Sequence, residues 1–113
     1  MTRKITLLNS SILTDYGTYQ YRPLTLDEAR AIVADARAAG DEIESAIGHQ
    51  STAELLSALL GVAVETNRIE YRQRKGDVAL VFKLSKRPPE GVVLTRDELE
   101  KLGYEFGLLT RLD

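Results

Sequence analysis

Three capping-box signatures punctuate the chain: Thr25-x-x-Glu28, Ser51-x-x-Glu54 and Thr95-x-x-Glu98. In each, a hydroxyl and a carboxylate three residues on are placed to satisfy orphan N–H groups at a helix start. The first predicts a helix from about Leu26 to Ala39, with Leu26, Ala29, Ile32, Val33 and Ala36 on one face and Gly40 as its stop. The second predicts a helix from about Thr52 to Leu60, burying Leu55, Leu56, Leu59 and Leu60 ahead of Gly61. The third predicts a short helix from about Arg96 to Leu102, closed by Gly103.

Strand patterns fill the intervals. "KITLLN" (4–9), "EIESAI" (42–47) and "YEFGLLTRL" (104–112) read as strands, and "DVALVFKL" (77–84), apolar on nearly both faces, reads as a central one. "NRIEYRQ" (67–73) alternates Ile69, Tyr71 and Gln73 with Arg68, Glu70 and Arg72, the pattern of a half-exposed strand. Lys75-Gly76-Asp77 would join it to the central strand as a hairpin. Helices alternating with strands predict an α/β (α+β) fold, a mixed sheet of about five strands flanked by helices. Residues 1–113 are expected to form a single domain. Two segments read as functional loops: 9–24, long, polar and tyrosine-rich, and 85–94, "SKRPPEGVVL", with two prolines and three charges.

Composition narrows the chemistry. Hydrophobic residues make up 43% and charged residues 28%, a globular balance. A net charge of −2 argues against a protein that coats duplex DNA, although 15 Lys and Arg leave room for a local anion pocket. The absence of cysteine removes disulfides, thiolate ligands and thiol nucleophiles and fits a cytoplasmic setting. No stretch has the length and apolarity of a membrane span, and the N-terminal apolar run is too short for a signal peptide. A single histidine excludes a histidine-rich metal cluster, and neither a P-loop nor a Gly-x-Gly-x-x-Gly element occurs. No metal or cofactor is expected. Chemistry in this chain would be acid–base work.

The one histidine, His49 in "SAIGHQSTAEL", precedes the second helix. Imidazole titrates near neutrality, about pH 6.5 when unperturbed. A helix start offers unpaired N–H groups and a dipole that favour an anion such as phosphate. His49 is thus a candidate general acid beside a phosphate; the alternative is an ordinary surface or packing histidine. Arg87 and Glu90 lie in the two-proline loop, where a guanidinium forks onto phosphate, or where both are simply solvated. Asn9, Ser10 and Ser11 offer polar groups after the first strand, or a turn that caps it. Arg68 alone fits the polar face of a strand.

Four segments in order, "LLNSSIL", "AIGHQST", "GVAVETNRIEY" and "LSKRPPEGVVLTRDELEKLGYEFGLL", resemble the ring nucleases typified by an anti-CRISPR protein of archaeal viruses, a family with bacterial and phage relatives. The resemblance implies a homodimer that binds cyclic tetra-adenylate, the messenger of type III CRISPR complexes, across its two-fold axis. It implies metal-independent cleavage to linear di-adenylates by attack of a ribose 2′-hydroxyl on the adjacent phosphorus. His49 would then protonate the 5′-oxygen, Arg87 would hold the phosphate, and Glu90 would assist by orienting Arg87 or His49. Asn9, Ser11, Ser51, Thr52 and Arg68 match binding positions. Lys83 stands where viral members carry glutamine, and Pro88 and Pro89 replace a leucine and an acid in the loop that closes over the ligand. The alternatives are a non-catalytic sponge or sensor for a cyclic oligoadenylate, and a small protein acting only through protein contacts.

Overall fold

The computed structural model describes residues 4–11, 13, 15–84 and 96–113. Within them the chain runs β1 (Lys4–Leu8), β2 (Tyr19–Leu24), α1 (Leu26–Ala38), β3 (Glu42–Ser45), α2 (Gln50–Leu60), β4 (Val78–Leu84), α3 (Arg96–Leu102) and β5 (Tyr104–Arg111). The strands form one mixed sheet in the order β2-β5-β4-β1-β3. β1 is the middle of a parallel trio: Ile5 is in register with Ile43 of β3 on one side and with Val78 of β4 on the other. β5 runs antiparallel to β4 and to β2. The expected α+β domain, with five strands in a mixed sheet and three helices, is the one the described residues form.

Alternation along the strands sorts their side chains to two faces. On one, Leu7, Leu80, Phe82 and Phe106 pack beneath Ala29 and Val33 of α1 and Ala53, Leu56 and Leu59 of α2. Phe82 and Phe106 sit with ring centroids 5.3 Å apart, a pairing that adds about 0.5–1.5 kcal/mol beyond the area it buries. On the other face Leu8, Ala79, Val81 and Leu109 form a smaller buried cluster, against which Tyr19, Ala46 and Tyr71 lean. Among the described residues no helical side chain joins that cluster. Both longer helices therefore bury their apolar stripes on one side of the sheet.

α1 forms as its capping box dictates. Thr25 Oγ1 accepts from the Glu28 N–H at 3.1 Å, and Glu28 Oε1 accepts from the Thr25 N–H at 3.0 Å. α2 begins differently. Its N-cap is His49, in extended conformation, and Ser51 lies inside the first turn, so the Ser51-x-x-Glu54 box does not form. The first intrahelical bond runs from the Ala53 N–H to the His49 oxygen at 3.0 Å, which places the helix start two residues earlier than the serine predicts. α2 stops where expected, at Gly61, whose φ of 71° is the left-handed region that glycine adopts without strain. Thr95, of the third box, lies outside the described residues.

Two strand assignments exchange places. Residues 67–73 run without a ladder, so the predicted hairpin at 75–77 has no first strand. Their alternation is real but has another cause. An extended chain keeps the two-residue periodicity of a strand whether or not a neighbour pairs with it. Here Tyr71 leans on the open face of the sheet, and Gln73 is buried, its Nε2 donating to the main-chain oxygens of Asp77 and Leu109 at 2.8 Å each. Side chains, not backbone groups, fasten the segment. Conversely Tyr19–Leu24, inside the stretch that reads as a connector, pairs with β5 as the sheet's edge. Four successive exposed residues, Gln20 to Pro23, hide its pattern, and Pro23 is tolerated because an edge strand leaves one side of its backbone unpaired.

Candidate functional site

Three adjacent parallel strands, β3, β1 and β4, point their carboxyl ends the same way, and that edge of an open sheet is where ligands ordinarily bind. β1 leads there into Asn9, half-buried, and Ser11, exposed. β3 leads into residues 46–48, then His49 and α2. β4 ends at the same edge with Leu84. Arg87, Pro88, Pro89 and Glu90 lie outside the described residues. The Ala46 N–H donates to Leu7 O at 3.0 Å, which keeps β1 and the β3–α2 connection together up to the site.

The α2 start is the centre of the arrangement. His49 is exposed, and among the described residues its imidazole makes no capping bond. The N–H groups of Gln50, Ser51 and Thr52 precede the first intrahelical bond and have no acceptor within the helix. No acidic residue stands in this first turn. The Glu54 carboxylate accepts from Gln50 Nε2 at 3.2 Å and so stays on the helix flank. The N-terminal end of α2 is therefore a positive dipole end with open donors and hydroxyls at Ser51 and Thr52.

Arg68 comes to the same place from the segment that crosses the sheet. Its Nε donates to the Gly48 oxygen at 3.1 Å, and among the described residues it has no other polar partner, so its two Nη groups remain available beside His49. Gly48 permits the approach: a Cβ there would stand 3.0 Å from Arg68 Cγ. The structure thus brings together His49, Ser51, Thr52 and Arg68, with Asn9 and Ser11 on the neighbouring strand end. Lys83 is apart. Its Nζ lies 5.6 Å from the centroid of the Tyr21 ring, which turns it over β5 toward β2 and away from β1 and β3. Burial, and then the Glu105 carboxylate, pushes the Tyr21 phenol above its ordinary value.

Sequence reasoning left Gly48 and Asn67 without roles of their own. Asn67 Nδ2 donates to Ser45 O at 2.8 Å and the Asn67 N–H to Ile47 O at 2.7 Å. The pointer was present in the glycine before His49 and the asparagine before Arg68, but only the fold shows that they meet.

A cleft of about 620 Å³ lies elsewhere, toward the amino ends of β1 and β4, lined by Lys4, Glu44, Tyr71, Arg72, Arg74 and Asp77. It contains none of the candidate residues. Its charges are largely matched internally, Lys4 to Glu44 at 3.5 Å and Arg72 to Glu70 at 3.9 Å. Burial pushes the Tyr71 phenol up to about 12, with Asp77 and Glu44 adding to the rise and Thr6 opposing it. Although Thr6 is near, the Tyr71 hydroxyl meets no partner at hydrogen-bond geometry. Among the described residues no three His, Asp or Glu side chains converge as metal ligands, and no helix is long and apolar enough to cross a membrane.

Comparison with known proteins covers nearly the whole chain. A family model described as STIV B116-like matches residues 5–106. YddF of Bacillus subtilis (strain 168), described as an uncharacterized protein, is 44% identical over 112 residues, covering 97% of this chain and 99% of the relative. ORF117 of Acidianus two-tailed virus, also described as uncharacterized, is 36% identical over 110 residues, covering 94% and 92%. Among solved structures, B116 of Sulfolobus turreted icosahedral virus superimposes with a TM-score of 0.81 at 25% identity, over 96% of this chain and 99% of that one.

Proposed function

Because the chain belongs to the STIV B116-like family, we propose that it is a metal-independent ring nuclease of the anti-CRISPR type, which binds cyclic tetra-adenylate across a homodimer and cuts it to linear di-adenylates. The observation that carries the reading is the start of α2: open N–H donors, no acid, His49 at the cap and Arg68 held against Gly48 beside it. That arrangement suits a phosphodiester, whose charge meets the helix dipole and a guanidinium.

The proposed reaction is the one the resemblance to ring nucleases implies. A ribose 2′-hydroxyl attacks the adjacent phosphorus in line and releases its proton to solvent water; a new P–O2′ bond forms, and the P–O5′ bond breaks. Each cut leaves a 2′,3′-cyclic phosphate on one side and a 5′-hydroxyl on the other, so each of the two dinucleotides carries one of each. His49 supplies the proton to the departing 5′-oxygen, a role worth about 10²–10⁴ in rate, or roughly 3–5 kcal/mol. Arg87 steadies the charge that builds on the phosphate, and Glu90 orients Arg87 or His49. Arg68, Ser51, Thr52, Asn9 and Ser11 hold the ring. A ring of four nucleotides contains a two-fold axis, so two copies of the chain each present one His49 to opposite phosphodiesters, which gives two dinucleotides. A pocket shared in this way is an open edge on a single copy, which suits the exposure of His49 and Arg68.

The test is incubation with labelled cyclic tetra-adenylate in EDTA, with products resolved and the enzyme in excess. Conversion to di-adenylates is expected. An intact ring overturns the reading. In a second incubation with the ring in excess, a single burst without further turnover would identify the sponge instead.

A further inference from the structure

The connection from β3 to His49, residues 45–48, makes few ladder bonds of its own, and its carbonyls are satisfied from a segment twenty residues further on. Ser45 O accepts from Asn67 Nδ2 at 2.8 Å, Ile47 O from the Asn67 N–H at 2.7 Å, and Gly48 O from Arg68 Nε at 3.1 Å. In return Ser45 Oγ donates to Glu65 O at 2.5 Å. Two consecutive residues, Asn67 and Arg68, thus fasten three of the four carbonyls that lead to the α2 cap. We propose that Asn67 is a positioning residue for His49, and that Gly48 plays the same part for Arg68. The inference rests on the reading of His49 as the proton donor.

The division of labour follows from the chemistry. The Asn67 main-chain bond survives any substitution but proline, so the sequence-specific element is its side-chain amide. That amide anchors Ser45, the last residue of β3, and so sets the direction in which the chain leaves the sheet toward His49. Gly48 acts sterically. A methyl group there would lie 3.0 Å from Arg68 Cγ and 3.5 Å from its Nε, displacing the guanidinium from Gly48 O. The two devices act on different functions, catalysis through His49 and binding through Arg68. A misplacement on the order of 1 Å at a reacting group is enough to cost about 100-fold in rate.

The experiment compares the full chain with Asn67→Asp, which keeps the size and removes the donor, with Asn67→Ala, and with Gly48→Ala. Three quantities are read: the rate constant and amplitude of single-turnover cleavage of cyclic tetra-adenylate, the Kd for the ring, and the NMR resonances of the His49 imidazole. Both Asn67 variants are expected to lower the rate constant by about 10-fold to 100-fold at full amplitude and unchanged Kd, with shifted His49 resonances. A merely structural loss would lower the amplitude instead. Gly48→Ala is expected to show the opposite split, a raised Kd with a smaller change in the rate constant. Unchanged rate constants and His49 resonances in the Asn67 variants overturn the inference. Should those variants not fold, Asn67→Gln, whose amide is displaced by one methylene, takes their place, and an unchanged rate constant with unchanged His49 resonances overturns the inference; an unchanged Kd in Gly48→Ala overturns its second part. If the wild-type chain cleaves nothing, the nuclease reading fails separately, and the His49 resonances still decide whether Asn67 positions that residue.

Discussion

The starts of α1 and α2 contain the same four-residue signature and reach opposite ends. At α1, Thr25 and Glu28 bond to each other's main-chain N–H groups, and Asp27 and Glu28 stand in the first turn. Its dipole end is closed by its own side chains. At α2, Ser51 is two positions too deep to cap, the cap is a histidine without a capping bond, and no acid stands in the turn. One helix start is thus closed by its own side chains, and the other is open at the carboxyl edge of the parallel strands, where the proposed ligand would meet it. A capping motif in sequence is therefore a capacity, and the partners of neighbouring residues decide whether it is used.

The largest break in this comparison comes at His49. His49→Ala is expected to lower single-turnover cleavage of cyclic tetra-adenylate by about 10²–10⁴ while the Kd for the ring, measured by calorimetry, holds. Next is to make α2 resemble α1. Ser51→Asp adds a carboxylate at the dipole end, so urea unfolding is expected to show a gain of about 0.3–1 kcal/mol, while the ring's affinity falls by about 10-fold or more through like-charge repulsion. Ring affinity equal to wild type would mean that the α2 start does not meet phosphate.

The reverse substitution sharpens the other side. Thr25→Ala is expected to cost about 1 kcal/mol in urea unfolding with cleavage intact, whereas Ser51→Ala is expected to stay within about 0.5 kcal/mol because Ser51 caps nothing. Equal losses would show that both boxes form in solution. The smallest effect is in acid. Bonds from Thr25, the main-chain N–H first, hold the Glu28 carboxyl below its ordinary 4.5. The stabilisation from a depressed carboxyl is present above the unfolded value and lost as the pH falls through the folded one. Glu28→Gln is therefore expected to flatten the fall in stability below pH 4.5, measured as urea midpoints at successive pH values. An unchanged slope would remove Glu28 from the cap.

What was legible in the residues was whatever depends on near neighbours. The α1 box, the glycine stops at Gly40 and Gly61, the apolar face of α2 and the buried run of β4 all follow from spacings of a few residues. His49 stood out as the one imidazole, and its place just ahead of a helix could be read directly. The alternation of 67–73 misled because periodicity records an extended chain and not its hydrogen-bond partner. β2 was hidden because its exposed middle residues carry no buried stripe.

Local patterns in the residues specify the class of the fold, the buried faces of α1 and α2, and the residue types available for acid–base and phosphate chemistry. The tertiary structure alone decided that His49 rather than Ser51 begins α2, that 67–73 crosses the sheet without joining it, and that Asn67, Arg68 and Gly48 meet beside His49. The physical reason is one of range. Caps, turns and helical stripes form between residues within a turn or two of each other, so their pattern is written locally. The carbonyls of 45–48 find their donors twenty residues away, and that pairing exists only once the sheet has brought the two segments together.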